Sequence, residues 1–228
     1  MFRRLFFPVL MTVLGCAVLV SLGAWQMQRL EWKSAILAEI DARVADAPSG
    51  LPAIPDAGTQ KYQPVEVTGK LIREPLYVLT TVKDLGAGYR YIAPFLAEER
   101  VMMVDLGFAP LEARRQPPLT GELTVIGNLH WPDEIDGWTP EPDGNLWYAR
   151  DTERMAVALS TEAMLIVARE IVPVDPQAAP PATVPLPVTS AGVPNNHLNY
   201  AITWFLLALV WAGMGAYLIA RVLRRKEG

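Results

Sequence analysis

Two long uncharged apolar runs, one near each end, constrain this chain more than anything else in it. Residues 5–27 carry no charged side chain and are dominated by Leu, Val, Phe, Met, Gly and Ala, and a second uncharged run covers residues 197–220. Each reaches the roughly 20 residues that a helix needs to cross about 30 Å of hydrocarbon. Lipid offers the backbone no hydrogen-bond partner, so both runs are expected to be helices.

The flanks set an expected orientation. Arg3 and Arg4 precede the first run, and Arg221, Arg224, Arg225 and Lys226 follow the second. Basic flanks favour the cytoplasmic side, and two spans return the chain to the side where it started. Residues 29–196 carry 14 basic against 23 acidic residues, a net charge of about −9, as expected of a segment that lies outside. A cleaved signal peptide (with Ser21-Leu22-Gly23 as a poor cleavage site) and a lipoprotein box at 13–16 are the rival readings of the first run. The apolar stretch continues past Cys16 into a helical pattern, which favours a retained helix, with Cys16 a small residue packed in the membrane. No long Arg- and Ser-rich leader precedes Phe6, so a bacterial inner membrane is the expected location, with both termini cytoplasmic and the middle periplasmic.

Composition narrows the functional classes. Hydrophobic residues make up 51% and charged residues 19%, which disfavours both a disordered chain and an all-soluble globule. A formal charge of −4 gives no basic field for nucleic acid. The lone Cys16 excludes an intramolecular disulfide or a Cys-pair metal site, and the two histidines, His130 and His197, exclude a His-rich cluster.

Between the runs, Leu30, Leu37 and Val44 fall at heptad spacing and extend the first helix over 28–47. Pro48, Gly50, Pro52, Pro55 and Gly58 then break it. Strand character follows at 62–71, 76–82, 88–96, 100–106, 122–129 and 146–150, and returns at 163–174. Asp151 can cap a short helix reaching about Leu159. These elements predict an α+β membrane protein, in which two transmembrane helices flank an external antiparallel β domain (48–172), a half-barrel or sandwich with one short helix. Seven of the 20 prolines lie in 173–194, so 173–196 is expected to be an extended return arm, with 1–4 and 221–228 as cytoplasmic tips.

No G-x-S-x-G nucleophile, Ser-His-Asp set or nucleotide-binding glycine loop occurs. The acidic stretch Asp133, Glu134, Asp136, Glu141, Asp143 lacks calcium-loop spacing and reads as a solvated loop. Met102 and Met103 fall on opposite faces of a strand, so they cannot act together on copper. His130, beside Trp131, reads as a turn or surface histidine.

His197 opens the second apolar run. On a helix it shares a face with Tyr200, Ala201 and Trp204 at i+3, i+4 and i+7. At the same membrane level Trp25, Arg29 and Trp32 share a face of the first helix, and Gly23 and Ala24 permit close approach. Arg29 and Lys33 could meet carboxylates there. A neutral imidazole over an aromatic stripe suits an apolar, iron-bearing macrocycle. An ordinary interfacial belt of Trp and Tyr with a snorkelling Arg accounts for the same residues, and spacing does not choose between them.

Motifs along the chain carry a family resemblance. They are Leu22-Gly23-Ala24-Trp25-Gln26 with Arg29-Leu30 and Lys33, then Tyr62, Pro64-Val65, Val67-Thr68-Gly69, Gly88-Tyr89 and Pro94-Phe95. Trp138-Thr139-Pro140, Asn145-Leu146-Trp147-Tyr148 before Asp151, and Asn195-Asn196-His197-Leu198 with Tyr200-Ala201 and Thr203-Trp204 complete the set. In these the chain resembles the surfeit-locus family of cytochrome c oxidase assembly factors, in its bacterial, heme a-binding type. One departure is Leu106-Gly107-Phe108-Ala109-Pro110, where the family usually has Arg-Gly-Trp before a Pro, so no role of that Arg carries over.

The resemblance implies a non-enzymatic heme a chaperone. It receives heme from the heme a-forming enzyme, holds it at the outer side of the membrane and aids its insertion into the oxidase catalytic subunit. It also implies His197 as axial ligand of the heme iron; the shared helix faces add Tyr200, Trp204, Trp25 and Arg29 as the residues expected around the cofactor, and the two spans add membrane lipid as a partner. The alternative is a heme-free scaffold that stabilises the nascent catalytic subunit during cofactor insertion. An enzyme acting on heme or lipid lacks acid–base and redox equipment in this sequence.

Overall fold

The computed structural model describes residues 2–112, 121–191 and 193–224, with the backbone alone for 2–4. In chain order the elements are α1 (Phe2–Ala45), α2 (Ala57–Gln60), β1 (Pro64–Leu71), β2 (Leu76–Val82), β3 (Gly86–Ala97), β4 (Arg100–Pro110), β5 (Glu122–His130), β6 (Leu146–Trp147), α3 (Thr152–Leu159), β7 (Leu165–Pro173) and α4 (His197–Arg224). They form two compact units, Met1–Glu39 with Ser190–Gly228, and Ile40–Thr189.

The first unit is a pair of helices. Both α1 and α4 are long and apolar enough to cross a membrane. Nothing interrupts α1 after Gly23, because residues 24–47 contain neither Gly nor Pro, and it stops at Ala45 ahead of Pro48. The heptad extension and the apolar run are therefore one continuous helix. Its inward positions recur every three or four residues, at 12, 15, 16, 19, 22, 23, 26, 27, 30 and 33, the spacing of a helix-packing stripe.

The second unit is a five-strand mixed β-barrel. The order β1-β5-β7-β4-β3 closes through a short β3–β1 pairing at Lys70↔Leu96 and Leu71↔Phe95, and β2 and then β6 extend the sheet beyond β3. Most pairings are antiparallel, as the alternating pattern suggested, but β4–β7 and β2–β6 are parallel. β3 serves β2 with its first half and β1 with its last residues, and the register shift between Arg90 and Ile92 is the bulge that lets one strand serve both. Closure also depends on Gly69, since a Cβ there would sit 2.1 Å from the Leu96 carbonyl oxygen.

The barrel interior holds Val65, Phe95, Met102, Val104, Val125, Leu129 and Ile166, all fully buried. Each such side chain contributes roughly 1.5–3 kcal/mol on burial. A second apolar layer lies on the other face of the sheet, where Met155, Ala156 and Leu159 of α3 cover Met103, Leu165 and Val167. Met102 and Met103 thus do point to opposite faces, one into the barrel and one under α3. The Asp151 cap holds, its carboxylate accepting from Arg154 N at 3.0 Å, and Ser160 ends α3 in the left-handed region.

The expected strand at 146–150 shortens to Leu146–Trp147, because Arg150 N donates to the Glu134 carboxylate instead of to a strand neighbour. Residues 174–189 run without regular structure apart from a bridge at Val184, whose N–H and carbonyl pair with Phe108 at 2.8 Å each. Gly107, at φ +99°, makes that approach possible, as a Cβ there would lie 2.2 Å from the Val184 oxygen. Where the family usually has Arg, the Leu106 side chain is buried in the barrel core and its carbonyl accepts from Thr183 Oγ1 at 2.7 Å.

Candidate functional site

In the helix-pair unit, Ala201 and Ala208 of α4 are buried against α1, and the Phe205 ring covers Gly23. Small residues let the two backbones come close, which drives helix association in lipid. Cys16 packs half-buried, its thiol 3.9 Å from the Ala208 carbonyl oxygen.

His197 is the first residue of α4 and half-buried, and its Nδ1 lies 2.8 Å from Gln26 Oε1 on α1. A proton on Nδ1, donated to that oxygen, leaves the lone pair on Nε2, and among the described residues Nε2 has no hydrogen-bond partner. The chain entering α4 is tied to α1 just above. Lys33 Nζ donates to the Pro194 carbonyl and Asn195 Nδ2 donates to Ser34 Oγ at 3.3 Å, while Asn195 Oδ1 is buried with no partner among the described residues. Lys33 therefore meets a backbone carbonyl rather than a carboxylate.

The other residues expected at this site divide. Trp204 is half-buried on α4. Tyr200 is 58% exposed and Trp25 51% exposed, so neither lies in the packed stripe with His197. Arg29 is exposed and stacks on Trp32, 4.5 Å from the ring centroid, rather than meeting an anion. Gln26, which holds the imidazole, was absent from the expected set. Its signal was present, because a polar side chain three residues after Gly23 falls on the inward stripe of α1.

The barrel unit has its own polar centre. Asp105 is fully buried and accepts from Arg90 Nε at 2.7 Å, Arg150 Nη1 at 3.3 Å and Gly107 N at 3.0 Å. Arg150 also chelates Glu134 through its guanidinium, and Arg90 Nη2 reaches the Leu186 carbonyl at 3.0 Å. Burial works against the Glu134 charge, but the hydrogen bonds from Arg150 outweigh it and hold the carboxyl below its ordinary range. Glu134 is thus an anchored residue rather than part of a wholly solvated loop. His130 also departs from expectation. It ends β5, half-buried, with its ring 5.5 Å from and stacked on Tyr62. Burial first, then the positive charges of Arg150 and Lys61, push its pKa down to about 4.

Two helices long and apolar enough to cross a membrane, with a β-barrel domain between them in sequence and a histidine at the start of the second helix, define the class of protein. Residues 13–209 match the SURF1 family model, and the chain belongs to the SURF1 family. Surfeit locus protein 1 of Rattus norvegicus is 29% identical over 214 residues, which cover 83% of this chain and 68% of that protein. The Homo sapiens protein of the same name is 29% identical over 215 residues, covering 82% and 69%. A SURF1-like protein of Monosiga brevicollis is 30% identical over 234 residues, covering 92% and 85%. Membership implies a part in cytochrome c oxidase assembly, a role that is generally non-enzymatic.

Proposed function

We propose that this protein is a heme a chaperone of a bacterial inner membrane. It binds heme a at the outer side of the bilayer and aids its insertion into the oxidase catalytic subunit. The observation that carries the reading is His197, oriented through Nδ1 by Gln26 and left with Nε2 available as an axial donor. Among the described residues no group of three or more His, Cys, Asp or Glu could hold a bare metal ion. A lone imidazole suits iron that a macrocycle already holds on four sides. Trp204 and the apolar surface of α4 offer the porphyrin a contact, and Tyr200, Trp25 and Arg29 are exposed where a planar ligand can meet them.

A single protein ligand also suits release, because transfer requires only one iron–nitrogen bond to break. The heme a-forming enzyme is the donor in this reading and the barrel domain docks the acceptor. Support for docking comes from Trp138, 92% exposed on a turn that Asp136 braces by accepting from Trp138 N and Thr139 Oγ1, each at 2.9 Å. The basic flanks of both spans support an orientation with cytoplasmic termini and a periplasmic barrel. The test is an absorption spectrum of the full-length protein purified from cells that make heme a. A heme a spectrum at near-stoichiometric heme supports the reading. A heme-free preparation from such cells refutes it in favour of the scaffold.

A further inference from the structure

The helix-pair unit has a concave surface at the end away from His197, where α1 begins and α4 finishes. A cavity of about 460 Å³ is lined there by Phe7, Pro8, Met11, Trp211, Met214 and Leu218, with Tyr217 at its edge. That volume lies in the roughly 300–1,000 Å³ range of small-molecule pockets. The polar atoms in its wall are already engaged. Trp211 Nε1 donates to the Met11 carbonyl at 3.2 Å, and Thr12 Oγ1 donates to the Pro8 carbonyl at 2.7 Å. The trough therefore offers a ligand mainly apolar contact, with the Tyr217 hydroxyl at its edge as a donor that has no hydrogen-bond partner among the described residues.

Tyr217 also borders a second hollow of about 320 Å³, which it forms with Ala220, Arg221 and Arg224. These four residues fall at i, i+3, i+4 and i+7 on one face of α4, so the apolar trough leads directly to two guanidinium groups. Arg221 and Arg224 are exposed, and neither makes an ion pair among the described residues. An apolar slot ending in paired cations at the tip of a membrane helix fits one kind of ligand, an amphiphile with a hydrocarbon chain and an anionic head.

We propose that this surface is a binding site for an anionic phospholipid, with an acyl chain in the trough and the phosphate at Arg221 and Arg224. A second copy of the helix pair is a poor occupant, because its apolar runs at 5–27 and 197–220 contain no Asp or Glu and the sequence at 221–228 sets one acid, Glu227, against four bases, Arg221, Arg224, Arg225 and Lys226. Free phosphate satisfies the arginines but leaves the trough empty. The site is independent of heme binding, lying at the opposite end of the helices from His197 and sharing no residue with it.

Native mass spectrometry of the full-length protein in mild detergent tests this, with phosphatidylglycerol as probe and phosphatidylcholine of the same acyl chains as reference. Wild type should retain phosphatidylglycerol at least tenfold more than phosphatidylcholine, and inorganic phosphate should not displace it. Leu218→Trp fills the trough while leaving every charge in place, and should lower phosphatidylglycerol retention at least tenfold. The pair Arg221→Gln and Arg224→Gln should do the same. If that pair fails to insert, Leu218→Trp alone decides, since it keeps the basic flank. Equal retention of the two lipids by wild type overturns the site, as does undiminished phosphatidylglycerol on Leu218→Trp. Displacement by phosphate, or a dimer in place of the lipid adduct, overturns it as well.

Discussion

Asp105 gives the sharpest test of how the barrel domain is held. Its carboxylate is wholly buried on β4 between Arg90 and Arg150, whose side chains are only 15% and 12% exposed. Asp105→Asn keeps the size of the side chain and an amide oxygen for Gly107 N, but it removes the negative charge between two guanidinium groups. Breaking a buried pair by removing one partner costs about 3–5 kcal/mol. Glu134 still accepts from Arg150 in the variant and Leu186 still accepts from Arg90, so we expect about 2–4 kcal/mol here. In a folded unit of this size, Ile40–Thr189, each kcal/mol moves the unfolding midpoint by about 2–4 °C, which gives a fall of roughly 4–16 °C. The assay is near-UV circular dichroism of the full chain at fixed detergent and heating rate, because membrane proteins often unfold irreversibly. Arg154→Ala is the matched control. It breaks a pair with Glu141 whose side chains are 51% and 80% exposed, and should move the midpoint by less than about 2 °C. An Asp105→Asn midpoint within about 2 °C of wild type would refute the view that this network holds the domain together.

Three further outcomes follow from the same geometry. His130 has a folded pKa of about 4 against an ordinary 6.5, so the unfolded chain takes up the extra proton first; stability is full above about pH 6.5 and falls as pH drops toward 4. His130→Phe keeps the stack on Tyr62 and should flatten that loss between pH 7.5 and 5 without changing heme content; an unchanged pH profile or a loss of heme contradicts the placement of this residue. Trp138→Ala should change stability by no more than the roughly 0.5 kcal/mol of a surface substitution, about 1–2 °C in the midpoint, while lowering the amount of assembled oxidase in cells; normal oxidase levels argue against docking through this turn. Cysteine introduced at Glu98 should label with an impermeant reagent in cells with a permeabilised outer membrane, whereas one at Gly228 should not, and the reverse pattern overturns the orientation.

The parts of this fold that sequence revealed are those governed by local chemistry. Uncharged runs of membrane length, the Asp151 cap and the alternation that sends Met102 inward and Met103 outward each depend on a few neighbouring residues. What it did not reveal depends on residues distant in sequence. The closure of β1 on β3 shows only as Gly69, whose meaning requires Leu96 opposite it. The parallel β4–β7 pairing joins strands that β5, β6 and α3 separate in the chain, so neither strand's own residues name its partner or its direction. At the candidate site His197 was legible because an ionisable group at a span boundary stands out. Counting i+3, i+4 and i+7 grouped Tyr200 with Ala201, yet the helix packs through Ala201 and leaves Tyr200 outside, because one face spans more than 100° and only its centre meets the neighbour. Arg150 and Glu134, sixteen positions apart, carried no pattern that could pair them.

The central claim, that His197 holds the heme iron, is tested most directly by the heme a content of His197→Ala. Both proteins are purified from the same heme a-producing cells and compared at equal protein by pyridine hemochrome absorbance. The substitution removes the imidazole at the start of α4 and its contact with Gln26 but leaves the Ala201, Ala208 and Gly23 packing of the helix pair intact, so the variant should accumulate in the membrane at a normal level. The account predicts that it carries a small fraction of the wild-type heme. Full heme occupancy with an unchanged spectrum in His197→Ala would contradict it.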